Sequence, residues 1–126
     1  MRSARPSQAR SGPGMAFTAI VGSIQVAAPE RVSVDAYVID SLLADLVGHD
    51  RRPGAFVLFL FLWRKTRGGA RPAVLSLRMM TDGTGLAKRT VQQSLQHLER
   101  RGLVSSRRAT ATAAPALQLH CQWRHS

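Results

Sequence analysis

The apolar positions of this chain change period along its length, and each change marks an element. Residues 15–28 form an apolar stretch of small side chains, MAFTAIVGSIQVAA, and the β-prone part over 18–26 predicts a strand. Next, Val38, Ile39, Leu42, Leu43, Leu46 and Val47 repeat at helical spacing. They predict a helix over 34–47 with Ser33 as N-cap, Asp35 in its first turn and Gly48 as its stop. Residues 55–63 read AFVLFLFLW, with no polar side chain. The Arg51-Arg52-Pro53-Gly54 turn before them and the Arg64-Lys65-Thr66-Arg67 exit favour a helix to about Thr66 over a strand.

The second half is more finely divided. After the Gly68-Gly69 loop, residues 73–75 suit a short strand, and Ser76 suits the N-cap of a helix over 77–83. Met79 and Met80 lie in that helix, and at least one is expected in the core. Gly83-Thr84-Gly85 makes a turn. Leu86, Val91, Leu95 and Leu98 then return at helical spacing, up to Arg100-Arg101-Gly102, where cations and a glycine suit a helix C-terminus. Strands are predicted over 103–108 and around Leu117, Leu119 and Cys121, which alternate with Gln118, His120 and Gln122. The loop between them, residues 109–116, is uncharged.

Charge divides the chain in two. Its 126 residues carry 18 Lys plus Arg against 7 Asp plus Glu, a formal charge of +11. From Arg51 onward there are 14 cations and two acids, Asp82 and Glu99. A half this basic calls for a polyanionic partner. A membrane surface needs a basic amphipathic helix with bulky apolar anchors, and the basic stretches are not built that way. No apolar run reaches the ~18 residues of a spanning helix. The length suits one domain of modest core, and a single cysteine rules out an intramolecular disulfide, which permits a reducing compartment. Residues 1–14, rich in Arg, Ser, Pro and Gly, read as a disordered basic arm. Arg2, Arg5 and Arg10 ahead of residues 15–28 give the outline of a secretory leader, but export does not suit the basic half that follows.

The chemistry concentrates on residues 88–100. Between the apolar positions lie Lys88, Arg89, Gln92, Gln93, Gln96, His97 and Arg100, so one face is apolar and the other basic and amide-rich. Arg, Lys and Gln are the side chains that pair with guanine and adenine edges in the major groove. Gly85-Leu86, Ala87, Lys88-Arg89, Thr90-Val91, Gln92, Leu95, Leu98, Gly102 and Leu103-Val104 together resemble the recognition helix and its flanks in winged helix-turn-helix proteins. That group includes GntR-type and MarR-type bacterial regulators and related plasmid or phage replication-initiation domains. The likeness covers about twenty residues closely and roughly seventy with its flanks, going by the extent of the motif. Ala87 departs from it, since a Ser or Thr cap is usual there and its loss costs ~1 kcal/mol of helix stability.

The resemblance implies an α+β, mainly α fold: a winged helix-turn-helix over 33–126 with a C-terminal two-stranded wing, preceded by an extension over 15–32. It implies a bacterial-type transcription regulator that binds double-stranded DNA sequence-specifically, in the cytoplasm, on the nucleoid. Lys88, Thr90 and Gln92 match the family's contacting positions, and Arg89 and Gln93 join them from the helical wheel. Ser76, Thr84, Gln96, Arg107 and Arg108 are the expected contacts to the DNA backbone, the two arginines sitting beside the wing loop, and His97 is expected on the solvent side. The alternatives are an architectural, nucleoid-associated DNA-binding protein, a replication-initiation domain, and a scaffold that uses the same helices for protein contacts. Residues 55–63 carry more apolar surface than a small domain easily covers, so a homodimer is expected through Phe56, Phe59, Leu62 and Trp63, with a fully internal helix as the other possibility.

No catalytic group, metal, cofactor or small-molecule ligand is expected. Asp35, Asp40, Asp45 and Asp50 spread around their helix rather than converge. His120 and Cys121 point to opposite faces of a strand, which spoils a metal site with His125. There is no phosphate loop with its Lys-Ser/Thr.

Overall fold

A computed structural model describes residues 30–124. The expected arm over 1–14, the strand over 18–26 and His125 lie outside the described residues. Among those described, the chain is α+β and mainly helical: four helices with a three-stranded antiparallel sheet.

Helix α1 runs over 36–49, and most of it is wound with i→i+5 hydrogen bonds, over Val38–Leu42 and Ala44–His49. Val38, Leu42 and Leu46 are buried, Leu43 is half-buried, and Ile39 and Val47 are exposed. The apolar stripe is thus narrower than the sequence predicts, because α1 packs chiefly along one side, against the next helix. Ser33 does not cap it; the helix starts three residues later, and the Ser33 carbonyl accepts the Trp63 indole N–H at 2.8 Å. Arg51 turns the chain with a left-handed φ of 56°, and the Arg52 N–H reaches back to the Leu46 carbonyl at 2.8 Å.

Helix α2, Pro53–Lys65, begins on its proline, whose missing N–H is no loss in a first turn. It is the centre of the core, with Ala55, Phe56, Leu58, Phe59, Leu62 and Trp63 buried. That corrects the expected dimer patch. Phe56, Phe59, Leu62 and Trp63 are enclosed by α1, the later helices and the sheet of their own chain, so they have no surface to offer a second copy. At the end of α2, the buried Thr66 hydroxyl donates to the Leu62 carbonyl at 2.8 Å and accepts the Gly69 N–H at 3.0 Å.

Strand β1, Ala73–Val74, leads to helix α3, Leu77–Thr84, capped by the Ser76 hydroxyl, which accepts the Met79 N–H at 3.1 Å. Met80 is buried and Met79 exposed. Gly85, at φ 77°, ends α3, and helix α4, Lys88–Arg100, follows. Two glycines set how closely these helices meet α2. A Cβ on Gly54 would lie 2.9 Å from the Thr90 methyl and 3.1 Å from the Ser94 hydroxyl of α4. A Cβ on Gly83 would lie 2.2 Å from the Phe61 ring. The Pro-Gly pair read as a turn is therefore the start of a helix whose glycine admits α4.

Strands β2, Val104–Arg107, and β3, Ala116–Leu119, form an antiparallel hairpin, with Val104 opposite Leu119 and Arg107 opposite Ala116. β1 pairs with the other edge of β3, giving the order β1-β3-β2. Leu117 and Leu119 turn into the core, whose buried members also include Leu98 and Val91 of α4. A short 3₁₀ turn, Gln122–Arg124, closes the described chain.

Candidate nucleic-acid interface

Helix α4 separates its faces cleanly. Val91, Ser94 and Leu98 are buried, while Lys88, Arg89, Gln92, Gln93 and Gln96 are exposed. Its N-cap, Ala87, is extended and makes no side-chain cap bond, so the first N–H groups rely on solvent or a ligand. Arg89, Gln92, Gln93 and Gln96 stand at i, i+3, i+4 and i+7, the spacing of one helical stripe. With Leu95 and with Arg108, just after β2, they line one open cleft. The Arg108 guanidinium donates to the Ala113 carbonyl at 2.6 Å, which holds it to its own loop. Arg107 is exposed at the end of β2.

The other expected contacts are placed differently. Thr90 is half-buried with its methyl toward Gly54, which draws it back from the exposed stripe. The Thr84 hydroxyl donates to the Met80 carbonyl at 2.7 Å and accepts the Leu86 N–H at 3.1 Å, so it shapes the turn between α3 and α4. The Ser76 hydroxyl is engaged in its cap. Lys88 is exposed but is not among the residues lining the cleft. Glu99, the acid of α4, accepts the Ser106 hydroxyl of β2 at 2.8 Å.

What seats α4 is a carboxylate that sequence reasoning missed. Asp50, just past α1, receives His97 Nε2 at 2.8 Å and the Arg101 Nε at 3.2 Å, both from the end of α4, and its neighbour His49 Nδ1 at 3.0 Å. The Asp50 side chain is only 9% exposed. Hydrogen bonds from His97 first, then His49, and the positive Arg101 beside it hold its carboxyl below the usual carboxylate range. His97 is thus part of the seat of α4 and not a solvent-side residue. The one hint in the sequence is an aspartate two residues past Gly48, the expected helix stop, through which α1 in fact continues to His49. Nothing in it names a partner 47 positions on.

A second cluster joins the two ends of the described chain. Asp35 accepts the Arg124 Nε at 2.7 Å, a terminal Arg124 nitrogen at 3.0 Å and the Trp123 indole N–H at 2.8 Å. These bonds, Arg124 foremost, hold the Asp35 carboxyl below its ordinary value. Trp123 stacks on Tyr37 with centroids 4.7 Å apart, and the Arg124 guanidinium lies 5.4 Å from the centre of the Trp63 ring. The expected dipole role of Asp35 gives way to this clamp.

Cys121 is buried, its thiol 3.7 Å from the Gly68 carbonyl and its pKa pushed up by burial. His120 is exposed and bonds the Ser105 hydroxyl at 2.8 Å. Among the described residues no three His, Cys, Asp or Glu side chains gather as metal ligands would, and no helix is long and apolar enough to cross a membrane. No family model, curated protein or solved structure matches the chain.

Proposed function

We propose that this chain is a winged helix-turn-helix protein that binds double-stranded DNA sequence-specifically as a bacterial-type transcription regulator. In this reading α3 and α4 are the helix-turn-helix, α4 enters the major groove and the β2–β3 hairpin is the wing. The observation that carries it is the cleft in which Arg89, Gln92, Gln93 and Gln96 of α4 meet Arg108. Such a surface pairs base-reading side chains with a cation for the phosphate backbone. The formal charge of +11 supplies the long-range attraction. The action is non-covalent and takes place in the cytoplasm, on the nucleoid, with two copies on a two-fold site. Selection from random duplexes followed by sequencing tests it. A regulator enriches one motif, palindromic if two copies bind. Salt-sensitive binding without enrichment is the behaviour of an architectural protein and overturns the regulator.

A further inference from the structure

The cleft that bears the proposed function has a composition that restricts what it can read. Its polar lining is one guanidinium on α4, three primary amides and the guanidinium of Arg108. Among the described residues no carboxylate lines it, and the acid of α4, Glu99, is bonded to Ser106. Lys88 and the drawn-back Thr90 do not line it. Each of these facts narrows the choice of bases. An exposed arginine fork matches the O6 and N7 acceptors of guanine. An amide, donor and acceptor together, matches N6 and N7 of adenine. A carboxylate is the usual acceptor for the cytosine amino group.

The order along the helix matters as much as the composition. Arg89 lies in the first turn of α4, and the glutamines follow one and two turns later. From Arg89 to Gln96 the rise is ~10 Å at 1.5 Å per residue. Base pairs are spaced about 3.4 Å apart, so the stripe spans three steps, or about four base pairs. Leu95, half-buried, is the apolar lining residue between the amides. The partner of every adenine brings a thymine methyl into the same groove, and an aliphatic side chain suits it.

We infer that each copy reads about four base pairs, a G·C pair at the Arg89 end followed by A·T pairs under Gln92, Gln93 and Gln96. This rests on the DNA-binding reading above and adds to it which bases are chosen and by which side chains. Arg108 touches phosphate and leaves the choice alone.

The test is the same selection run on the full chain and on two variants, Gln92→Glu/Gln96→Glu and Arg89→Gln. All three positions are exposed, and circular dichroism of each variant checks that the fold is kept. The wild-type chain should enrich a guanine followed by adenines. The double glutamate variant should lose its preference for adenine roughly five- to hundredfold and gain cytosine, since a carboxylate accepts only. Arg89→Gln should exchange the guanine for adenine and leave the rest. A motif without A·T pairs at its core, or an adenine preference that survives the glutamates, overturns the inference and leaves the DNA reading standing. Salt-sensitive binding with no motif also overturns it, in favour of an architectural binder. Absence of any salt-sensitive binding removes both.

Discussion

At the scale of the residue, Asp50 governs how α4 sits. Replacing it with asparagine keeps the shape but leaves His97 and Arg101 facing a neutral group. The expected loss at pH 7 is about 1–3 kcal/mol of folding stability, read by urea unfolding. The pH dependence has a definite sign. The folded carboxyl is depressed below its unfolded value of about 3.9, so its contribution is complete above that value and disappears as pH falls through it toward the folded one. The wild type and Asp50→Asn should therefore converge progressively in acid; a gap that stays constant as pH falls below the unfolded value would show that the charge is not what matters. Residues of this kind are hard to read from a sequence. The exposed Arg89, Gln92, Gln93 and Gln96 were legible because their phase is the complement of Val91, Leu95 and Leu98. The Asp50–His97 and Asp35–Arg124 pairs were not, because they join positions 47 and 89 residues apart and no local pattern encodes a long-range contact.

At the scale of the element, glycines decide the spacing. Gly83 of α3 touches Phe61 so closely that any Cβ must displace the ring, over which the Lys65 ammonium also lies at 5.4 Å. Gly83→Ala should destabilise by about 1–3 kcal/mol, although alanine is the better helix former. Phe61→Leu should recover part of that loss, and a double-mutant cycle gives the coupling. Additive effects would mean that the two do not meet. The elements themselves were largely legible. Helical periods, glycine stops at 85 and 102, and the alternation of Leu117 and Leu119 have local causes, and α2 ends one residue before the expected Thr66. The winding of α1 was not legible. Its apolar residues satisfy an α-helical period on paper, and the i→i+5 bonds with Ile39 and Val47 outside depend on what α1 packs against. Nor was the role of Gly54, since a Pro-Gly pair signals a turn and says nothing of a helix passing alongside.

At the scale of the whole molecule, two questions remain quantitative: charge and assembly. Arg107→Ala or Arg108→Ala should weaken binding to all duplexes alike and lower the slope of log affinity against log salt by about one unit. A changed base preference in either variant would count against a backbone role. Assembly must be sought away from the core of α2. Because Phe59 is fully buried in its own chain, Phe59→Asp should abolish the cooperative unfolding transition; a folded, monomeric variant would contradict the packing. The proposed homodimer needs another surface, and the exposed Val57 and Leu60 of α2 are not part of the core. Equilibrium sedimentation of the wild type, together with half-sites about 34–36 Å apart in the selected duplexes, reports whether two copies pair. A monomer on unpaired half-sites would remove the dimer.

The clamp at Asp35 also makes the protein its own optical probe. Its two tryptophans, Trp63 and Trp123, both donate their indole N–H into the segment ahead of α1, one to Ser33 and one to Asp35. Intrinsic emission therefore originates at this seam and not at the exposed face of α4. Protonating Asp35 in acid removes the charge that binds Arg124 and Trp123, so Trp123 should loosen from Tyr37 and emission should shift to longer wavelength. In Asp35→Asn the shifted spectrum should already be present at neutral pH, with the far-ultraviolet dichroism of the helices retained. Coincident changes of emission and dichroism through an acid titration would instead mean that the seam and the rest of the domain open as one unit.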